Sequence, residues 1–71
     1  MGKHISTYYS DHDEGYCEIH FDFKEEYAYI KYFDNNGKRF FTEDFPGKST
    51  RYVEDAAENW ALGIKKLEHV N

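Results

Sequence analysis

"YCEIHFDF", residues 16–23, decides the fold. Cys17, Ile19, Phe21 and Phe23 alternate with Tyr16, Glu18, His20 and Asp22, which is the two-residue period of a half-buried strand. Successive side chains on a strand point to opposite faces. The first set is therefore expected to face a core, and the second to face solvent or a partner.

Working outward, the flanking segments repeat this logic. "HISTYYS" (4–10) carries β-branched and aromatic residues and reads as an earlier strand. It is separated from 16–23 by the polar loop "DHDEG" (11–15). "KEE" (24–26) can turn, and "YAYIKYF" (27–33) follows as a third strand. "DNNG" (34–37) is a hairpin turn, since Asn and Gly tolerate the positive φ that such turns demand. "KRFFTEDF" (38–45) returns as a fourth strand, ended by Pro46-Gly47.

Beyond it the period changes. Val53, Ala56, Ala57, Trp60, Ala61, Ile64 and Leu67 recur at three- and four-residue spacing, which predicts an amphipathic helix over about 50–68. Ser49 or Thr50 can cap it. Glu54 and Asp55 near its start and Lys65 and Lys66 near its end suit the helix dipole. Gly63 is its weak point, costing ~1 kcal/mol against alanine. The expected fold is α+β: an antiparallel three- to four-stranded sheet (4–10, 16–23, 27–33, 38–45) with one C-terminal helix on one face. Trp60 is its central core residue, joined by Ile19, Phe21, Phe23, Ile30, Tyr32, one of Phe40 or Phe41, and Phe45.

A chain of 71 residues is read as one domain. It buries only about 60% of its unfolded surface, so its core is small. No apolar run approaches a membrane span, and Met1-Gly2-Lys3-His4 lacks the apolar stretch of a signal peptide. Cys17 is the one cysteine, which excludes an internal disulfide and reads as a small buried residue in a cytoplasmic protein. The net charge is −5. Asp11, Asp13, Glu14, Glu18, Asp22, Glu25 and Glu26 face only Lys24 between 11 and 26, whereas Lys31, Lys38, Arg39, Lys48 and Arg51 outnumber Asp34, Glu43 and Asp44 between 31 and 51. One edge is expected to be acidic and another mildly basic.

Candidate chemistry is sparse. Gly47-Lys48-Ser49-Thr50 looks like the tail of a phosphate-binding loop, but position 42, where that loop needs glycine, is Thr42. "DHDE" (11–14) offers an imidazole and carboxylates, yet adjacent residues on a short loop rarely converge on one ion. His20 and Asp22 share a strand face and read as a surface pair. Cys17 and His20 fall on opposite faces, so the histidine cannot serve the thiol as a base. His4 and His69 have no readable context. No catalytic constellation, metal site or cofactor motif emerges, and the expectation is a non-enzymatic protein.

The aromatic content is the remaining signal: seven Tyr, six Phe and one Trp. One helix on one sheet face cannot shelter them all. Tyr27, Tyr29, Lys31 and Phe33 share one parity of the third strand, and Ala28, Ile30 and Tyr32 the other. Two readings stand: scattered tyrosines whose rings cover neighbours while their hydroxyls stay wet, or a contiguous patch that marks a partner surface. The second makes the chain a small acidic protein-binding module. Its candidate partner-binding residues are Tyr27, Tyr29, Phe33, Glu18, His20 and Asp22, and a homodimer through the same face is its variant.

The alternative is nucleic-acid binding through the second hairpin. "YIKYFDNNGKRFF" (29–41) followed by "YVEDAAENWALGIKKL" (52–67) resembles the arm-binding domains of phage integrases, in which a three-stranded sheet packed on a C-terminal helix reads DNA. Carried over, the resemblance implies that Lys31, Lys38 and Arg39 contact phosphate. Glu43 and Asp44 stand where that family would be expected to have bases. In size, acidity and aromatic richness the chain also resembles the small accessory proteins of tailed phages. That likeness implies a modulator or inhibitor of a larger protein in the host cytoplasm.

Overall fold

The computed structural model describes residues 2–11 and 15–64. Four strands, β1 (Gly2–Tyr9), β2 (Tyr16–Asp22), β3 (Tyr27–Phe33) and β4 (Arg39–Phe45), precede one helix, α1 (Thr50–Ala61). The strands form an antiparallel meander in the order β1-β2-β3-β4, so β1 and β4 are its edges. This is the α+β arrangement expected from the alternation of 16–23. No described helix is long and apolar enough to cross a membrane.

The turns follow from local chemistry. Asp34 Oδ1 accepts the N–H groups of Asn36 and Lys38, both at 2.9 Å, and closes the β3–β4 hairpin. Asp22 Oδ1 likewise accepts from Lys24 at 2.9 Å and Glu25 at 3.1 Å. Each is an Asx turn, in which the side chain substitutes for a backbone acceptor. Gly15, at φ 103°, lies so close to β3 that a Cβ there would stand 2.0 Å from the Phe33 carbonyl oxygen.

Cys17, Ile19, Ala28, Ile30, Tyr32 and Phe45 point from the sheet into a core closed by Val53, Ala56, Ala57, Trp60 and Ala61. The helix lies across β2, β3 and β1. Its alanines let the backbone approach the sheet, and Trp60 meets Tyr32 edge-on with centroids 5.1 Å apart. Full burial of side chains such as Ile19, Ile30 and Val53 contributes about 1.5–3 kcal/mol each.

Several details differ from expectation. The second strand stops at Asp22, because that side chain opens the turn, and Phe23 is left 57% exposed against the edge of Phe21. The first strand is 2–9 rather than 4–10, with a bulge at Ile5, and the fourth begins at Arg39 rather than 38. A second irregularity lets Tyr32 pair with Phe41 and Phe33 with Arg39, so Phe41 packs on the core while Phe40, at the bulge, stays 45% exposed with its ring tilted against Tyr32 at 6.4 Å.

Ser49 is the helix cap, accepting from the Tyr52 N–H at 3.1 Å. The helix ends at Ala61, not at 68. Gly63, at φ 82°, donates to Trp60 O while Ile64 donates to Asn59 O, the paired bonds of a glycine-terminated helix. Gly63 is thus the terminator rather than a weak point inside, and Ile64 lies exposed beyond it. The first turn holds Arg51 and no acid, so the dipole pattern expected of Glu54 and Asp55 is not realised. Lys65, Lys66, Leu67 and His69 fall outside the described residues, as do His12, Asp13 and Glu14.

Candidate ligand-binding face

The sheet face opposite α1 carries the outward residues of all four strands, and register arranges them in rows. One row runs Tyr9–Tyr16–Phe33–Arg39. The next is Thr7–Glu18–Lys31–Thr42, and then His4–His20–Tyr29–Asp44. Gly2–Asp22–Tyr27 closes the face.

Two rows are ring stacks. Tyr16 and Phe33 lie 4.8 Å apart and 10° from parallel, with Tyr9 tilted against Tyr16 at 5.7 Å. His4 and His20 stack at 5.1 Å, and His20 and Tyr29 at 5.4 Å. The rows are four residues apart along a strand, or about 13 Å. Between them stand the charged and hydroxyl side chains of the Glu18–Lys31 row.

Neighbouring rings cover one another's faces. What stays open is therefore the ring edges and the outer faces of the terminal rings, Tyr9 (71% exposed) on one side and Phe33 and Tyr29 on the other. Glu18 Oε1 accepts the His20 Nε2–H at 2.9 Å, since a carboxylate can only accept. His4 Nε2 lies within hydrogen-bond distance of the Thr7 hydroxyl at 2.8 Å and of the Ser6 carbonyl at 3.0 Å. Lys31 Nζ leans toward the Tyr29 ring, 5.8 Å from its centroid.

The carboxyl of Asp22 is held below the usual range, chiefly by the Glu25 N–H and then by that of Lys24. The phenol of Tyr27 is pushed up by desolvation and by the charges of Asp44, Glu25 and Asp22.

All six partner-binding residues expected from sequence, Tyr27, Tyr29, Phe33, Glu18, His20 and Asp22, lie on this face. His20 contacts both Glu18 and Tyr29. Phe33 joins the other stack, and Tyr27 and Asp22 pair at the far edge. Sequence reasoning missed Tyr9 and His4 as participants. Tyr16 was legible through its parity with Glu18, but its contact with Phe33 depends on register. The basic trio divides: Lys31 and Arg39 join the open face on β3 and β4, while Lys38 sits in the hairpin turn.

Elsewhere, Cys17 is buried on the core side. Ser49 is spent on the helix cap, and Lys48 Nζ lies 4.9 Å over the Tyr52 ring. Among the described residues no three or more His, Cys, Asp or Glu side chains converge as a metal site.

Residues 15–64, from the turn before β2 through the end of α1, match a family model described as "Putative mucin or carbohydrate-binding module". No curated protein and no solved structure matches the chain.

Proposed function

The chain belongs to this family of mucin or carbohydrate-binding modules, and on that premise we propose that it is a non-enzymatic binding module whose open sheet face takes up the glycan of a glycoprotein. The carrying observation is the pair of ring stacks about four residues apart, separated by a polar row. A sugar is amphipathic: its C–H faces pack on aromatic surface, while its hydroxyls need hydrogen-bond acceptors and donors. Tyr9, Phe33 and Tyr29 supply the first, and Glu18, Lys31, Thr7, Thr42 and Asp44 the second.

The face is also stiff. Stacked rings and strand-borne side chains lose little freedom on binding. Most of it, from Tyr16 to Asp44, lies within the matched segment, with only the β1 contribution outside. The protein partner expected from sequence narrows on this reading to a glycosylated protein such as a mucin, whose Ser/Thr-rich stalks carry the sugar.

The test is titration of the folded chain with mucin glycopeptide, the same peptide stripped of glycan, and free oligosaccharide, read by amide and aromatic chemical shifts. Shifts confined to the rows of Tyr16–Phe33 and His20–Tyr29, lost without glycan, are expected. Equal binding of the stripped peptide would instead favour a peptide-binding surface. An absence of binding by any glycan would remove the carbohydrate reading.

A further inference from the structure

Charge is not spread evenly over the open face. Asp44 stands opposite Tyr29, and Asp22 opposite Tyr27, at one end. At the other end Arg39 stands opposite Phe33, and the next row holds Lys31 with Glu18 as its register partner on β2, the Glu18 carboxylate being turned to His20 Nε2 at 2.9 Å. Neither Arg39 nor Lys31 forms an ion pair with a described residue. In a chain of net charge −5, two cations against the one carboxylate of Glu18, itself engaged by His20, leave a local excess of positive charge beside an aromatic stack.

We propose that the Phe33 end of this face recognises an acidic sugar, its ring against Phe33 and its carboxylate or sulfate between Arg39 and Lys31. This rests on the carbohydrate reading above and names the ligand class within it.

The geometry assigns each role. Tyr16 covers the β2 side of the Phe33 ring at 4.8 Å, which leaves the β4 side, where Arg39 is the register partner. A guanidinium presents a planar fork that matches a carboxylate or sulfate with two parallel hydrogen bonds. Lys31 contributes a point charge on a flexible stem, able to swing from the Tyr29 ring toward an anion. Thr42, paired with Lys31, adds a hydroxyl beside it. The carboxylates of Asp22 and Asp44 lie at the opposite end, where they repel an anion and so orient the ligand along the strands.

The experiment is calorimetry of the full chain with three forms of one oligosaccharide: neutral, carboxylated and sulfated. The acidic forms are expected to bind about tenfold more tightly at low salt, with the ratio shrinking as ionic strength rises. The ratio should fall toward one in an Arg39→Gln/Lys31→Gln chain, whose thermal midpoint is measured alongside. A Lys48→Gln chain, altered on the far side of the molecule, should keep it. Preference for only one of the two acidic forms identifies which anion is read.

Equal binding of neutral and acidic forms, or a preference that survives the double substitution, overturns this inference and leaves the carbohydrate reading intact. No binding of any form defeats both. A single-stranded oligonucleotide that outcompetes every sugar for Arg39 and Lys31 would assign these cations to nucleic-acid phosphate instead.

Discussion

Tyr16 of β2 and Phe33 of β3 lie face to face, ring centroids 4.8 Å apart and 10° from parallel. On the function proposed above, the contact joins stability to recognition, because one ring serves as backing for the surface the other presents. Phe33→Ala should weaken glycan binding at least about tenfold and destabilise the chain by about 1 kcal/mol. Phe33→Tyr should preserve both. Calorimetry paired with urea unfolding separates the two effects.

Gly15 and Gly37 both have positive φ, 103° and 82°, yet differ in surroundings. A Cβ on Gly15 would collide with the backbone of Phe33 and Asp34, whereas on Gly37 the nearest atom is Tyr16 Oη at 4.0 Å. Gly37→Ala should cost about 1–2 kcal/mol, the conformational penalty alone. Gly15→Ala adds a clash with backbone that has nowhere to yield, and should leave little folded protein by circular dichroism.

Tyr32 is fully buried and donates its hydroxyl to Glu43 Oε1 at 3.1 Å. Desolvation, then the Glu43 charge and hydrogen bond, push this phenol far above its ordinary range. A folded-state value above the unfolded one means the fold holds the proton more tightly. The associated stability is whole below about pH 10 and declines as pH rises beyond it. Ultraviolet titration should show the exposed tyrosines ionising first and Tyr32 only with unfolding. Tyr32→Phe should flatten the alkaline fall in stability, at a cost of about 1 kcal/mol at neutral pH.

Asp22 presents the opposite sign. Backbone N–H groups of Glu25 and Lys24 stabilise its charged form and lower its titration point. Its contribution is therefore present above the ordinary carboxyl range and lost as pH falls through the depressed folded value. Asp22→Asn should reduce the acid dependence of the thermal midpoint and increase amide exchange in the 23–26 turn, since the amide is a weaker acceptor for the same two donors.

Ser49 caps the helix through the Tyr52 N–H. Ser49→Ala should cost about 1 kcal/mol, whereas Thr50→Ala, inside the first turn, should cost far less. Thermal denaturation of the two chains distinguishes them.

Much of this molecule was readable from local pattern. The alternation of 16–23 and 27–33, the Asn-Gly turn and the alanine-tryptophan spacing before the helix end each obey rules that act within a few residues. The same parity placed Glu18, His20, Tyr29 and Phe33 on one face. Misreadings fell where local rules compete. Phe23 continued the alternation, but Asp22 had already begun a turn. Ile64 continued the helical spacing, but Gly63 had already ended the helix. Phe40 and Phe41 could not be told apart, since a bulge offsets parity by one.

The sequence by itself determined the four strands, the inward and outward faces of β2 and β3, and the start of the helix, because sterics and backbone hydrogen bonding impose those periods on any short segment. Only the tertiary structure decided which outward residues meet: Tyr16 with Phe33, His20 with Tyr29, His4 with His20 past the Ile5 bulge, and Arg39 beside Phe33. Register between strands is a property of paired backbones far apart in the chain, so no period within one segment encodes it.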